Sequence, residues 1–451
     1  MKIHFIAIGG SAMHNLALAL HAKGEDVTGS DDEIFEPSKS RLANHNLLPE
    51  EFGWFPEKIT TDLDAIILGM HAKADNPELL KAQELNLKIY SYPEFIFEHS
   101  KHKTRVVIGG SHGKTTITSM ILHVLNYHEK EVDFMVGAQL EGFDNMVHLT
   151  PKNDFILLEG DEYLSSPLDR RPKFHWYQAN IALISGIAWD HINVFPTFEN
   201  YVEQFQLFVD GMTRGSTLVY NEEDTEVKRI AENATQPTRK HAYSTPAHFI
   251  EDGETYLETP EGPMPIEVFG IHNLQNLAGA KWICQHMGVD EDDFYEAIAS
   301  FKGASKRLEF LYESTKVKVF KDYAHSPSKV KATTQAVKSQ FEDRKLIACL
   351  ELHTYSSLNA EFLKEYKSSL NKADEAVVFY SAKALQIKGL EAISDEQIKE
   401  AFDLNGLQVF TDASLFQAYL KAKHYHDDVL LLMSSGNYGG LNFDDLKRWI
   451  E

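Results

Sequence analysis

Short apolar runs alternate along this chain with longer stretches in which apolar residues return every three or four positions, the pattern of buried parallel strands joined by helices. The opening segment predicts a strand over 2–8, a helix over 13–23 and strands over 27–29 and 65–70, together a small parallel α/β unit over 1–103. A second unit, 104–303, is predicted to carry strands over 105–108, 155–158 and 181–187, a helix over 117–127, and a helical pattern that follows Gly270 and runs through Met287. From 304 to 451 the alternation becomes regular, with strands over 317–321, 345–350, 376–379, 407–410 and 429–433. The expected fold class is α/β in three domains, Rossmann-like at both ends, without internal repeat or low-complexity linker.

Two strand-to-helix turns are rich in glycine. The second, Gly109-Gly110-Ser111-His112-Gly113-Lys114-Thr115-Thr116, has the Gly-Lys-Thr ending of a P-loop for a nucleotide triphosphate, with Ile108 where the strict pattern carries glycine. Such a loop aims backbone N–H groups at phosphate oxygens and adds the partial positive charge of a helix N-terminus. Lys114 neutralises further charge and the Thr115 hydroxyl is available to Mg²⁺. The first turn, Ala7-Ile8-Gly9-Gly10-Ser11-Ala12-Met13, resembles a dinucleotide fingerprint with alanine at its outer two glycine positions, and Gly29-Ser30-Asp31 ends the next strand. An ordinary βα turn without a ligand is the plainer reading of that first turn.

Composition acts mainly by exclusion. The 451 residues, 43% hydrophobic and 25% charged, suffice for several cores. A net charge of −23 opposes nonspecific nucleic-acid binding, so an anionic ligand must be met by local cations. Lys101, Lys103 and Arg105, then Arg170, Arg171 and Lys173, then Lys306 and Arg307 are the candidates, each equally a solvated surface cluster. The two cysteines, Cys284 and Cys349, have no metal-ligand spacing and fit reduced, buried thiols. Without a signal-peptide layout or an apolar run of about 18 residues, the expectation is a cytoplasmic protein with no membrane span.

Acidic groups follow two of the predicted strands, Glu159-Gly160-Asp161-Glu162 and Trp189-Asp190-His191. Ligands of open α/β sheets collect at such strand ends, which makes Glu159 the expected second anchor for magnesium, with Asp161, Glu162 and His191 as further candidate ligands. Together with Gly270-Ile271-His272-Asn273-Leu274-Gln275-Asn276, Lys306-Arg307-Leu308-Glu309 and Asp322-Tyr323-Ala324-His325-Ser326-Pro327, all in this order, these residues resemble the Mur ligase family over the whole chain. The resemblance implies three domains, 1–103 for UDP-N-acetylmuramate, 104–303 for ATP and 304–451 for the incoming amino acid or peptide amine. It implies an ATP-dependent ligase of peptidoglycan biosynthesis or recycling, in which the γ-phosphoryl of ATP passes to the muramate carboxylate and the amine attacks the acyl phosphate. Lys114, Glu159 and His191 would be catalytic, with two Mg²⁺ at Thr115, Glu159 and His191. Gly110, Ser111, His112, Gly113, Thr115 and Thr116 would cradle ATP, with His272, Asn273 and Asn276 by the adenine, while Arg307 and Asp322 reach it from the third domain. Gly9, Gly10, Ser11, Ser30 and Asp31 would take the UDP substrate.

The departures narrow the branch. Tyr201-Val202-Glu203-Gln204-Phe205 has no lysine where several members carry a carbamylated one, which matches the muramate branch, and Gly186 stands where the family has asparagine. The segments Glu159 to Tyr163, Asp169 to Phe174, Met433 to Gly440 and Gly29 to Ser38 resemble members that add the tripeptide L-alanyl-γ-D-glutamyl-meso-diaminopimelate. Leu352-His353-Thr354-Tyr355-Ser356 is closer to the His-Arg-Tyr-Ser type segment of members that add L-alanine. The tripeptide is therefore the expected acceptor and L-alanine the alternative. Three other classes compete. A P-loop ATPase regulator without ligase chemistry leaves two α/β units and the His272 to Asn276 segment unexplained. A dinucleotide-dependent oxidoreductase meets the missing outer glycines, and a non-enzymatic binding module meets intact Lys114, Thr115, Glu159 and His191.

Overall fold

The structure, a computed structural model, describes every residue except 138, 141, 305, 306, 383, 384, 386–390 and 451, so Lys306 lies outside the described residues. The chain divides into two compact units, one formed by 1–189, 194–244 and 277–297, the other by 190–193, 245–276 and 298–451.

In the first unit, a four-stranded parallel sheet has the order Asp26–Ser30, Lys2–Ile6, Ala65–Leu68, Ile89–Ser91. Ile3, Phe5 and Ile6 are fully buried, as a strand covered on both faces requires. The strand predicted over 2–8 stops at Ile6, because Ala7 turns to a φ of 68° and the N–H groups of Ala7 and Ile8 both donate to the Ser30 carbonyl. Alanine thus takes the left-handed conformation for which the fingerprint's first position usually needs glycine.

The larger sheet of this unit has the order Arg239–Tyr243, Thr217–Asn221, Ile181–Ile184, Thr104–Gly109, Phe155–Glu159, Asp133–Met135, Val147–His148, antiparallel only at its last pair. Thr104–Gly109 is central, with Ile181–Ile184 and Phe155–Glu159 on its flanks, so the glycine loop, Glu159 and the segment after Ile184 leave the same carboxyl edge. The strand predicted over 181–187 ends at Ile184. Helix Lys114–Tyr127 starts three residues before the predicted 117. Helix Phe198–Asp210 is capped by the Thr197 hydroxyl, which accepts from the Asn200 N–H, and buries Tyr201, Val202, Phe205, Phe208 and Val209 on one stripe.

In the second unit, a six-stranded sheet has the order Glu309–Glu313, Val317–Asp322, Asp428–Met433, Leu346–Leu352, Glu375–Tyr380, Gln408–Phe410, parallel except at its first pair. All five predicted strands are present. Alternate residues of Leu346–Leu352 feed two cores, Ala348 and Leu350 on one face and Ile347 and Cys349 on the other. A three-stranded antiparallel sheet, His248–Glu251, Glu254–Thr259 and Gly262–Ile266, completes this unit. Cys284 and Cys349 are free and buried. Among the described residues, no helix is long and apolar enough to cross a membrane.

Candidate functional site

The loop between Thr104–Gly109 and Lys114–Tyr127 is built so that two of its glycines are obligatory. Gly110 has a φ of 135°, and a Cβ there would come within 2.1 Å of Ser185 Oγ. Gly113, at a φ of 82°, turns the chain onto the helix. The loop is pinned to the segment after Ile184: Ser111 N–H donates to the Gly186 carbonyl at 2.9 Å, Ser185 N–H donates to the Gly109 carbonyl at 3.1 Å, and the Ser185 hydroxyl donates to the His112 carbonyl. A Cβ on Gly186 would meet His112 Cε1 at 2.5 Å, so any larger residue at 186 would displace the His112 ring.

Lys114 Nζ donates to the Gly110 carbonyl at 2.5 Å and to Glu162 Oε2 at 2.6 Å. Burial lowers the ammonium's pKa, but the carboxylates of Glu162, Asp161 and Glu159 outweigh it and hold Lys114 above the ordinary lysine value. Thr115 Oγ1 donates to Glu159 Oε1 at 2.8 Å, while the other oxygen of Glu159 accepts from Gly137 N–H at 2.9 Å. These are the hydroxyl and carboxylate that a magnesium at a phosphate loop needs, so the residues fit the group. Among the described residues, no set of three or more His, Cys, Asp or Glu is placed to hold a metal. Most ligands of such an ion would therefore be phosphate and water oxygens.

Asp161 and Glu162, anticipated as further metal ligands, have other partners. Asp161 pairs with Lys173 at 2.5 Å and accepts from Tyr163 N–H at 3.1 Å. Burial pushes the Asp161 carboxyl up, and Lys173 and Lys114 pull it further the other way, well below the usual carboxylate range. Glu162 Oε1 accepts from the Tyr201 hydroxyl at 2.9 Å, and that hydroxyl lies 2.8 Å from Ser111 Oγ.

Of the cations expected to meet an anion, several are committed to the fold. Arg105 is buried, and its guanidinium donates to the carbonyls of Tyr177, Ser100, Lys101, Lys103 and Gln178. Lys103 pairs with Asp133 at 2.8 Å and donates to the carbonyls of Thr150 and Asn153, and Lys101 pairs with Glu98 at 3.0 Å. Arg171 pairs with Asp169 at 2.9 Å over the Trp176 ring, and Arg170 is exposed. Among the described residues of these clusters, Lys173 reaches the acids behind the loop, through Asp161.

At the first glycine turn, Gly9 N–H donates to Asp31 Oδ2 at 2.7 Å, and burial pushes the Asp31 carboxyl up. The helix Ser11–Ala22 begins after Gly10 with no side-chain cap. Among the described residues, the buried Ser30 hydroxyl has no hydrogen-bond partner.

The second unit gathers the remaining sequence-derived residues. His191, at a φ of 54°, has its N–H on Asp190 Oδ1 at 2.8 Å, and Asp190 lies 3.6 Å from Lys329 Nζ. Burial raises the Asp190 carboxyl, but Lys329, His191 and His325 bring it down to about 2. Asp322 accepts from Leu308 N–H at 3.2 Å and from the Thr333 hydroxyl at 2.5 Å. Burial lowers the His272 pKa against the opposing pull of Asp322, Asn273 donates to the Phe269 carbonyl at 2.9 Å, and Asn276 is buried. Arg307 lies over the Tyr323 ring at 4.9 Å.

Sequence reasoning missed Tyr201 and Ser185. Tyr201 sits at core spacing with Phe205 and Phe208, and nothing in that pattern announces its hydroxyl; Ser185 follows an apolar strand and shows its use only through the Gly110 contact.

Residues 2–104 match the Mur ligase family, catalytic domain, residues 108–284 the Mur ligase middle domain, and residues 306–436 the Mur ligase, glutamate ligase domain. The chain is 31% identical over 460 residues to a UDP-N-acetylmuramate–L-alanine ligase from Sulfurihydrogenibium sp., covering 100% of this chain and 98% of that one. It is 29% identical over 452 residues to the protein of the same name from Clostridium acetobutylicum, covering 97% and 95%. Among solved structures, the UDP-N-acetylmuramate-alanine ligase of Thermotoga maritima matches with a TM-score of 0.69 at 20% identity, covering 100% of this chain and 98% of that one. The murein peptide ligase of Psychrobacter arcticus matches with a TM-score of 0.67 at 21% identity and the same coverage; both likenesses speak to the fold. Placing the chain first with tripeptide-adding members is not supported, because these full-length relatives are named L-alanine ligases and a murein peptide ligase enters here as a structural neighbour. The chain belongs to the Mur ligase family and shares its three-domain α/β architecture and its ATP-dependent ligase class.

Proposed function

We propose that this ligase joins L-alanine to UDP-N-acetylmuramate in peptidoglycan biosynthesis. The observation that carries the reading is the Thr115–Glu159 pair beside Lys114 at the carboxyl edge of the central sheet, in a chain that aligns end to end with L-alanine ligases. A carboxylate does not react with an amine at neutral pH until one of its oxygens becomes a leaving group, and ATP with Mg²⁺ supplies the phosphoryl group that does this. What the protein supplies is placement and charge neutralisation. In this proposal Lys114 meets phosphate charge, Thr115 and Glu159 hold Mg²⁺, and His191 serves a second ion. Residues 1–103 take the UDP moiety through Gly9, Gly10, Ser11, Ser30 and Asp31, 104–303 take ATP, and 304–451 the amine. His272, Asn273 and Asn276 serve the adenine, and Arg307 and Asp322 serve ATP from the third domain.

A second reading keeps the tripeptide as acceptor. It rests on the segments Glu159 to Tyr163, Asp169 to Phe174 and Met433 to Gly440, which resemble those of tripeptide-adding members. Phosphate release from ATP and Mg²⁺ with UDP-N-acetylmuramate, run with L-alanine or the tripeptide and followed by product mass, tests both. Turnover with L-alanine supports the proposal, turnover with the tripeptide alone replaces it by the second reading, and no turnover with either overturns both.

A further inference from the structure

The hydrogen bonds behind Lys114 converge on Glu162. Ala188 N–H donates to Ser111 Oγ at 2.9 Å, Ser111 Oγ lies 2.8 Å from the Tyr201 oxygen, Tyr201 O–H donates to Glu162 Oε1 at 2.9 Å, and Glu162 Oε2 holds Lys114 at 2.6 Å. A tyrosine has one proton, and it goes to Glu162, so the Ser111 hydroxyl donates to Tyr201. Tyr201, Glu162 and Ser111 are 0%, 1% and 4% exposed, so the chain of bonds is shielded from water and electrostatically strong. Glu162 therefore already gives Lys114 the anion that a phosphate loop lysine is built to meet. A polyphosphate entering the loop competes with this carboxylate, and once Lys114 turns to the phosphate, Glu162 stays buried with the Tyr201 hydroxyl on its other oxygen.

From this juxtaposition we infer that Glu162 is a resident counter-anion that the phosphates of a nucleotide displace from Lys114. Tyr201 is the positioning residue that keeps Glu162 within reach of the lysine and ties the exchange to Ser111 in the loop. The inference rests on the reading of the loop as an ATP site and adds to it a built-in competitor.

The test is calorimetric titration of the full-length protein with ADP, with and without Mg²⁺, for wild type, Glu162→Gln, Tyr201→Phe and the double variant, each checked for folding by circular dichroism. Glu162→Gln keeps the shape and removes the charge, so ADP binds about tenfold tighter. Tyr201→Phe keeps the ring among Phe195 and Phe205, loosens the competitor and also takes the acceptor from the Ser111 hydroxyl, so the gain in ADP binding is smaller, a few-fold, and Glu162→Gln still answers if this variant fails to fold. The double variant binds like Glu162→Gln alone, because Tyr201 acts through the carboxylate. A purely structural role gives the opposite, weaker binding in both single variants with losses that add. Equal or weaker ADP binding in the folded single variants overturns the inference and leaves the ATP site standing. A wild type that binds no ADP overturns the ATP-site reading and the inference with it.

Discussion

The two glycine turns of the first unit are each closed by a carboxylate, and they use it differently. At the first, Asp31 accepts from the backbone N–H of Gly9, so the acid belongs to the turn's own hydrogen bonding and cannot leave without stranding a donor. At the second, Glu162 is bound by the ammonium of Lys114, a compact charge that accepts any anion within reach. Similar strand–turn–helix frames thus yield a fixed turn in one case and an exchangeable anion position in the other. The cation makes the difference, and the glycines shape both turns around it.

The largest effect follows from removing that cation. Lys114→Ala is expected to lower ligase turnover by at least about 100-fold. Because Glu162 then stays buried without the ammonium that balances its charge, the variant also loses about 3 kcal/mol of stability. Lys114→Ala with Glu162→Gln regains the stability and not the activity. Urea unfolding beside phosphate release reads both quantities, and a single variant as stable as wild type would break the contrast between the turns.

Next comes a matched pair of glycines. Gly110→Ala brings a Cβ within 2.1 Å of Ser185 Oγ at a φ of 135°. It should cost about 1–3 kcal/mol and raise the KM for ATP. Gly10 has a φ of −59°, and its Cβ would meet Met13 Cγ at 3.4 Å, Met13 Cβ at 3.7 Å and the Ala7 carbonyl oxygen at 3.8 Å, all ordinary contact distances. Gly10→Ala should stay within about 0.5 kcal/mol of wild type and leave that KM unchanged. Below these lies Asp31→Asn, which weakens the bond to Gly9 for about 1 kcal/mol and leaves ATP kinetics alone. An ATP effect from Asp31→Asn as large as that from Gly110→Ala would erase the distinction drawn between the turns.

What the sequence reveals of this arrangement depends on whether a residue's role is local. Leu346–Leu352 is buried along its whole length and reads as a strand from composition alone. Glu309–Glu313 is an edge strand with Phe310 exposed, and Gly262–Ile266 carries Pro263 and Pro265, so neither shows a periodicity that separates it from loop. Lys114 and Thr115 are legible because a phosphate loop constrains neighbours in sequence, and Glu159 because it ends an apolar strand, Phe155–Glu159. Arg105 is not, because its five carbonyl partners come from segments around 100–103 and 177–178 that only the fold brings together. Tyr201 is hidden for the same reason, its ring serving the core while its hydroxyl serves Glu162.

The contrast between amide-held and cation-held carboxylates extends to the second unit and gives the smallest effect. Glu375 lies between Lys345 at 2.8 Å and Lys423 at 2.7 Å, with the Tyr419 hydroxyl as a third donor. Burial pushes its carboxyl up, and the two lysines and the tyrosine bring it down to about 2, whereas at Asp31 burial and the neighbouring Asp32 carboxyl prevail over the N–H bonds of Gly9 and Glu33 and the carboxyl stays raised. A depressed folded-state value means that the Glu375 contribution is present above the unfolded value of about 4.3 and is lost as the pH falls toward 2. A raised value means that ionised Asp31 costs stability, a cost relieved as the pH falls and the native state takes up the proton. Between about pH 5 and about pH 2.5, wild type should therefore lose its advantage over Glu375→Gln while gaining on Asp31→Asn, each by about 1 kcal/mol or less. Urea unfolding at constant ionic strength measures both differences. If both moved in the same direction, the nature of the donor would not govern how these carboxylates are held, and the comparison between the two glycine turns would lose its physical basis.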